Sequence, residues 1–193
     1  GGLPAPLLPL QILYLNLVTD VFPAFALGLG RGDSTVMRNP PRDPKEALVD
    51  RRHWIMIGVL GAAITVATLG AFALALFWLA LDTGRAITVA FLALALGQLW
   101  NVFNLRDPAA HPLRNEISRN RYVWGAIGVC LVLIGAGLWF PPLAAILQLD
   151  SPGPAGLGLA AAASLVPLLL GQAWLTAMGG PGRTGTASAT PRS

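Results

Sequence analysis

Long apolar runs separated by short polar stretches dominate the pattern of hydrophobic and polar positions along this chain. Five runs reach the length of about 20 residues that an α-helix needs to cross a bilayer. The predicted helices cover roughly Leu8–Leu29, Trp54–Ala80, Arg85–Asn104, Tyr122–Phe140 and Gly156–Met178. The pattern therefore predicts an all-α fold, a polytopic membrane helix bundle with five transmembrane helices.

The composition agrees with a membrane protein. Of 193 residues, 54% are hydrophobic and only 11% are charged, whereas a soluble domain carries about 25% charged residues. Cys130 is the single cysteine, which excludes an intrachain disulfide and a site built from several cysteines. Its apolar neighbours Val129 and Leu131 indicate a small buried side chain.

Basic residues concentrate in every second connection between the predicted helices. The segments Gly30–His53 and Leu105–Arg121 and the tail after Met178 hold 12 of the 13 Lys and Arg residues, and Arg85 is the exception. Because basic loops stay on the cytoplasmic side, we expect these three segments to be cytoplasmic and the N-terminus to lie outside. We expect the protein in the plasma (inner) membrane.

The chain divides into two parts by composition. Residues 1–178 form the predicted membrane domain, and residues 179–193 are small, polar and rich in Pro and Gly, which predicts a disordered cytoplasmic tail. The chain begins with Gly1 rather than Met, which suggests a fragment of a longer protein or a processed one.

Polar residues interrupt the first predicted helix in the stretch YLNLVTDVFPAFALG. Asp20 is the one acidic residue within a predicted span, and a charge at mid-membrane costs about 2.5–3.5 kcal/mol. Asn16 and Thr19 precede it at helical spacing, so the three side chains share one helix face. Pro23 deprives the Thr19 carbonyl of its helical N–H partner, which predicts an unwound turn with free carbonyls.

Oxygen atoms gathered beside a carboxylate are the ligands that hard cations prefer, and broken helices at the membrane midplane are common ion sites in transporters. The alternative is a hydrogen-bonded cluster between helices with a neutral Asp20. Gln98 and Asn101 share a face of the third predicted helix and offer further neutral oxygens, or hydrogen bonds between helices. Asn104 and Arg106 lie near its cytoplasmic end, where we expect a solvated or interfacial role.

Soluble catalytic motifs are not found in the sequence. It has no G-x-x-x-x-G-K-[ST], H-E-x-x-H, C-x-x-C or G-x-S-x-G pattern. An intramembrane enzyme would need a second catalytic group at the depth of Asp20, and the sequence offers no His, Cys or second carboxylate there.

Several stretches resemble P-type cation-transporting ATPases of the calcium-pump-like group. LPLQILYLNLVTDVFPAFALGLG is similar to their sixth transmembrane helix, TVAFLALALGQLWNVFNLR to the eighth, SRNRYVWGAIG to the start of the ninth and PPLAAILQL to the outer loop after it. The first connection resembles their cytoplasmic loop through Met37, Pro40, Pro41, Arg42 and Pro44. The resemblance covers about Leu7 to Met178 and implies the C-terminal membrane domain, helices six to ten.

The resemblance also implies roles for individual residues. Those matching Asn16, Thr19 and Asp20 coordinate the transported cation, and the one matching Gln98 adds a ligand in some members. The loop at Pro40–Arg42 helps to couple the membrane domain to the phosphorylation domain. Many members have Gly where this chain has Val21, which affects the expected ligand geometry. The transported cation stays open between Ca²⁺, Mn²⁺, Mg²⁺, Na⁺ and H⁺.

The family's Asp-Lys-Thr-Gly phosphorylation motif is absent from this sequence. ATP and its Mg²⁺ would therefore act only through missing domains, and this chain cannot hydrolyse ATP by itself. The implied partners are the lipid bilayer and the missing N-terminal part of the pump, in cis or as a split subunit, and no nucleic acid is expected.

Two functions remain open from the sequence. The membrane domain of an ATP-driven cation pump predicts that Asp20 faces a cavity or bundle interior lined by oxygen atoms. A non-transporting membrane scaffold, or a degenerate relative, predicts that Asp20 bonds to another side chain and leaves no room for an ion.

Overall fold

A computed structural model describes residues 5–29, 51–105 and 116–178. Within these ranges the chain is mostly helical, and no strand occurs among the described residues, which confirms the predicted all-α class. The helices are α1 (Pro9–Leu15), a π-helical segment (Asn16–Val21), α2 (Phe22–Gly28), α3 (Arg51–Phe77), α4 (Thr83–Asn101) with a 3₁₀ turn after it (Val102–Leu105), α5 (Glu116–Arg119), α6 (Arg121–Trp139), α7 (Pro141–Leu147) and α8 (Gly153–Met178).

Five stretches of the described chain are long and apolar enough to cross a membrane, as the hydrophobic pattern predicts. They are Pro9–Ala26, Trp54–Phe77, Thr83–Asn104, Arg121–Trp139 and Gly153–Ala177. Their ends agree with the predicted helices within a few residues. Most of the two basic loops (residues 30–50 and 106–115) and the tail (residues 179–193) lie outside the described residues.

Helix α4 lies at the centre of the described bundle. About 67% of its membrane-crossing stretch is buried against the other helices, compared with 22–33% for the other four. It packs between α3 and α8 and also contacts α6 and the π-helical segment. Alanines at Ala86, Ala90, Ala93 and Ala95 are all buried, and such small side chains let neighbouring helices approach closely in lipid.

The start of α4 places Arg85, the exception to the charge asymmetry of the loops, beside an acidic side chain. Asp82 caps the helix and accepts a hydrogen bond from the Arg85 N–H at 3.0 Å. The Arg85 Nε atom also lies 3.2 Å from Asp82 Oδ2. Arg85 therefore has its own counterion, although an exposed pair of this kind adds little stability.

The first helix is tied to α6 and α7 by two polar side chains. Gln11 is fully buried, its Nε2 donates to the Leu147 carbonyl at 2.9 Å, and its Oε1 accepts from the Leu8 N–H at 3.0 Å. The Tyr14 hydroxyl donates to the Leu133 carbonyl at 2.7 Å. These bonds fix how the polar stretch of the first helix faces its neighbours.

Asn104 does not have the solvated or interfacial role expected from its place near the helix end. It is 0% exposed, and its Nδ2 donates to Asn101 Oδ1 at 2.9 Å and to the Pro167 carbonyl at 3.3 Å. Its Oδ1 accepts from Gln172 Nε2 at 2.9 Å. The expectation is wrong because α8 packs over this end of α4 and supplies partners for the amide. Arg106 lies outside the described residues.

Gly171 makes room for the Asn104 side chain. A Cβ atom at Gly171 would collide with the Asn104 amide, whereas a Cβ at Gly158, in the same helix, would meet nothing within 4 Å. The small residue at position 171 is therefore needed for the contact between α4 and α8.

We predict that Gly171→Ala destabilises the protein by about 1–3 kcal/mol, because the added methyl overpacks a site that holds a hydrogen-bonded amide. The measurement is the thermal unfolding midpoint of the detergent-solubilised full-length protein. Gly158→Ala is the matched control and should leave the midpoint unchanged or raise it slightly. Equal midpoints for the two variants would contradict the assigned contact.

Candidate cation site

The polar stretch of the first span is a π-helical segment, Asn16–Val21, and not the unwound turn expected from Pro23. The chain stays helical throughout, and Pro23 is the second residue of α2. A π-helix bonds each N–H to the carbonyl five residues earlier, so its turns are wider than those of an α-helix. The segment accommodates Pro23 by a change in the register of its backbone hydrogen bonds, and the helix does not break.

The wider turn separates the three side chains that an α-helix would place on one face. Asn16 and Asp20 are exposed, whereas Thr19 is only 6% exposed. Extra residues per turn increase the angle between residues three apart, which directs Thr19 away from the other two. Thr19 therefore points into the bundle, and Asn16 and Asp20 stay on its open side.

The open side of the first span is an apolar stripe with two polar residues in its middle. Exposed residues recur in adjacent pairs every four positions, and we call this set the exposed stripe: Ile12, Leu13, Asn16, Leu17, Asp20, Val21, Ala24 and Phe25. A carboxylate within a membrane span is costly in lipid. Contact of the exposed stripe with lipid alone would therefore be unfavourable at Asp20.

Thr19 connects the π-helical segment to α4. Its Oγ1 lies 2.7 Å from Gln98 Oε1, 2.9 Å from the Leu15 carbonyl and 3.4 Å from Asp20 Oδ1. A hydroxyl has one proton to donate, so three oxygen atoms compete for it. Turning the Gln98 amide so that its Nε2 donates to Thr19 would leave the Thr19 proton for Leu15 and release an amide oxygen.

The structure brings together part of the predicted set of cation ligands. Thr19, Asp20 and Gln98 form one group of contacts, and Asn16 shares the exposed stripe with Asp20. Asn101 is half-buried and its Oδ1 accepts a hydrogen bond from Asn104, so its contact is with the neighbouring polar cluster.

One residue beside the site was not anticipated as a polar contact. Cys130 is fully buried, as its apolar neighbours predict, but its thiol also donates to the Val18 carbonyl at 3.0 Å. Nothing in the spacing of the sequence points to this bond, because 112 residues separate its partners.

The described residues supply a single carboxylate to the site. Among residues 5–29, 51–105 and 116–178, no group of three or more His, Cys, Asp or Glu side chains could hold a metal ion. The available ligands are the Asp20 carboxylate and neutral oxygens such as those of Thr19 and Gln98. A multivalent cation would therefore need further ligands from outside these residues.

Comparison with known proteins agrees with the resemblance seen in the sequence. The family described as "Cation transporting ATPase, C-terminus" matches residues 4–176. The "Calcium-transporting ATPase" of Bacillus subtilis (strain 168) is 36% identical over 169 residues, covering 88% of this chain and 19% of that protein. The "Calcium-transporting ATPase 1" of Bacillus cereus (strain ATCC 10987 / NRS 248) is 29% identical over 186 residues, covering 89% of this chain and 21% of that protein. The chain spans about a fifth of the length of these relatives.

Proposed function

The chain belongs to the family of P-type cation-transporting ATPases and corresponds to their C-terminal transmembrane domain. We propose that it supplies ion-coordinating residues to the transport site of an ATP-driven cation pump. The observation that carries this proposal is the position of Asp20. It lies on the exposed stripe of a membrane-crossing helix, 3.4 Å from the Thr19 hydroxyl, which in turn contacts Gln98.

The partner that covers the exposed stripe is the N-terminal part of the pump, in the same polypeptide or as a separate subunit. The relatives are about five times longer than this chain, so most of such a pump would be contributed by sequence not present here. ATP and its Mg²⁺ would bind to those other domains. The remaining apolar surface of the bundle faces lipid.

The ligand set combines one charge with several neutral oxygens. Asp20 supplies the negative charge, and Asn16, Thr19 and Gln98 supply neutral oxygens. If the Gln98 Nε2 group donates a hydrogen bond to Thr19, the Gln98 oxygen is free for the cation and the Thr19 proton still bonds the Leu15 carbonyl. Asn101 Oδ1 already accepts a hydrogen bond from Asn104, so it would offer a cation only its second lone pair.

Calcium is the cation that we propose. Both relatives described above are named as calcium-transporting. Ca²⁺ accepts mixed carboxylate, carbonyl and amide oxygens in irregular geometry, whereas Mg²⁺ demands a near-ideal octahedron and loses its water reluctantly. A site built on a π-helical segment and an amide side chain suits the more tolerant ion. Mn²⁺ and Mg²⁺ are the competitors to be compared in the same measurements.

The described residues meet the scaffold alternative only in part. It predicts that Asp20 bonds to another side chain and leaves no room for an ion. The Thr19 Oγ1 atom lies 3.4 Å from Asp20 Oδ1, but Asp20 is exposed on the open side of the first span. A carboxylate kept there at a cost of about 2.5–3.5 kcal/mol is more readily explained by a charged ligand than by assembly alone.

We predict that Asp20→Asn abolishes cation-stimulated phosphoenzyme formation in the full-length pump while leaving expression intact, because it removes the only charge of the described ligand set. Phosphorylation from radiolabelled ATP is measured over a range of Ca²⁺ concentrations. Asp82→Asn is the matched control, since Asp82 caps α4 away from the site and Asn also caps helices. Normal Ca²⁺ uptake by the Asp20→Asn variant would refute the proposed site.

We predict that the full-length pump binds one divalent ion per phosphorylation site. A divalent ion in a low-dielectric site needs roughly two carboxylates nearby, because uncompensated charge is costly there. This chain supplies one, Asp20, and a helix of the N-terminal part would supply the second. Equilibrium binding of radiolabelled Ca²⁺ to the purified protein tests this number. Two ions bound per phosphorylation site, with Gln98 intact, would contradict the prediction and its argument from the number of carboxylates.

We propose that the pump lies in the plasma (inner) membrane. Its N-terminus is then outside the cell and its basic loops are in the cytoplasm. A cysteine introduced at Ser34, outside the described residues, is expected to resist an impermeant thiol reagent in intact cells. A cysteine at Ser151, which is exposed in the connection before α8, is expected to react. The reverse pattern of labelling would show that the chain has the opposite orientation in the membrane. Cys130 is buried and should add little background labelling.

A further inference from the structure

We infer that Cys130 is a positioning residue for the cation site, because its thiol holds the π-helical segment Asn16–Val21 in register. The inference rests on the proposed function, since it concerns how Thr19 and Asp20 are presented to a cation. Its observations are the hydrogen bond from the Cys130 thiol to the Val18 carbonyl and the position of Pro23 five residues after Val18.

The Val18 carbonyl has no backbone donor in a π-helical register. In that register the carbonyl of each residue accepts from the N–H five residues later. For Val18 that residue is Pro23, which has no N–H. The other backbone candidate is the N–H of Phe22, four residues on, but π-helical pairing assigns it to Leu17.

Burial makes a side-chain donor necessary for this carbonyl. Val18 and Cys130 are both 0% exposed, and backbone groups inside a bilayer must find partners within the protein. The Cys130 Sγ atom lies 3.0 Å from the Val18 oxygen. A thiol is a weak donor, but this contact is short for sulfur.

Loss of the thiol would favour the other register of the same segment. The Phe22 N–H would return to the Val18 carbonyl, and the carbonyl that Pro23 leaves without a donor would be that of Thr19, four residues before the proline. The local turn would then become α-helical. Narrowing the turn rotates Thr19 toward the exposed stripe and away from Gln98, from which it is now separated by 2.7 Å. Cys130 therefore biases an element with two arrangements, of which one presents Thr19 to α4.

The test separates the donor from the volume of the side chain at position 130. Cys130→Ser keeps a donor, Cys130→Val fills the space without one, and Cys130→Ala removes both. Ile134→Val is the matched control, because Ile134 is buried one turn further along α6 and its truncation touches no polar contact. The readouts in the full-length pump are the Ca²⁺ concentration for half-maximal phosphoenzyme formation and the maximal level of phosphoenzyme.

The expected result is a loss of apparent affinity without loss of the maximum. The Ca²⁺ concentration for half-maximal phosphoenzyme formation should rise about three- to tenfold in Cys130→Val and Cys130→Ala, because both leave a buried acceptor unsatisfied. In Cys130→Ser and Ile134→Val it should stay within about twofold of the parent value. A serine variant as weak as the valine variant would show that volume matters and the donor does not, and would overturn the inference.

Infrared spectroscopy tests the same bond without relying on transport. The S–H stretching band isolated by subtracting the Cys130→Ser spectrum from that of the parent protein should lie at the lower frequency of a hydrogen-bonded thiol. This readout also holds if Cys130→Val fails to fold, and a band at the frequency of a free thiol would overturn the inference. Loss of cation response in Asp20→Asn together with unchanged affinity in all Cys130 variants would refute the inference and leave the proposed function standing. A bonded thiol together with normal transport in Asp20→Asn would refute the proposed function instead.

Discussion

A backbone inside a bilayer has no water to bond with, so every buried N–H and carbonyl must find a partner in the protein. Pro23 removes one donor from the middle of the first span, and the structure around it follows from that loss. The chain forms a wider, π-helical segment at this point. The Cys130 thiol donates a hydrogen bond to the Val18 carbonyl, which has no backbone donor in this register. Widening the turn also divides the polar side chains, sending Thr19 inward and leaving Asn16 and Asp20 on the open side.

Helix α4 is the element against which this arrangement is held. It is the most buried of the five membrane-crossing stretches in the described chain, and it carries Gln98 toward the π-helical segment. Six residues after Gln98, in the 3₁₀ turn that follows α4, Asn104 forms hydrogen bonds with the Pro167 carbonyl and Gln172 of α8. Polar contacts at both places tie α4 to different neighbours, so its position relative to the first span depends on amide and hydroxyl groups as well as on apolar packing.

The cation site that we propose is incomplete in the described residues. A single carboxylate with hydroxyl and amide oxygens suits one hard cation only when further oxygen ligands come from elsewhere. The exposed stripe around Asp20 is where they would enter. The orientation of the Gln98 amide decides its role. In one orientation the amide oxygen accepts the Thr19 proton, and in the other this oxygen is available to the cation.

The sequence alone determined the features that depend on chain-local chemistry. Apolar length predicted the five spans, because a helix must be about 20 residues long to cross hydrocarbon, and the isolation of Asp20 within one of them marked the candidate site. The similarity of the stretches around Asn16 and Gln98 to one family was visible as well. These properties are carried by neighbouring residues and need no knowledge of which helices meet.

Tertiary structure alone decided which groups pair. Pro23 predicted a lost hydrogen bond, but only the structure shows that the helix widens instead of unwinding and that the Val18 carbonyl has a donor 112 residues away in sequence, Cys130. Asn104 was expected at an interface and is instead buried, because Gly171 opens a space for it in α8. Gln98 and Asn101 share a helix face by spacing, yet one contacts Thr19 and the other Asn104. A hydrogen bond between helices depends on their packing and rotation, and neither quantity is encoded in the spacing of residues within one helix.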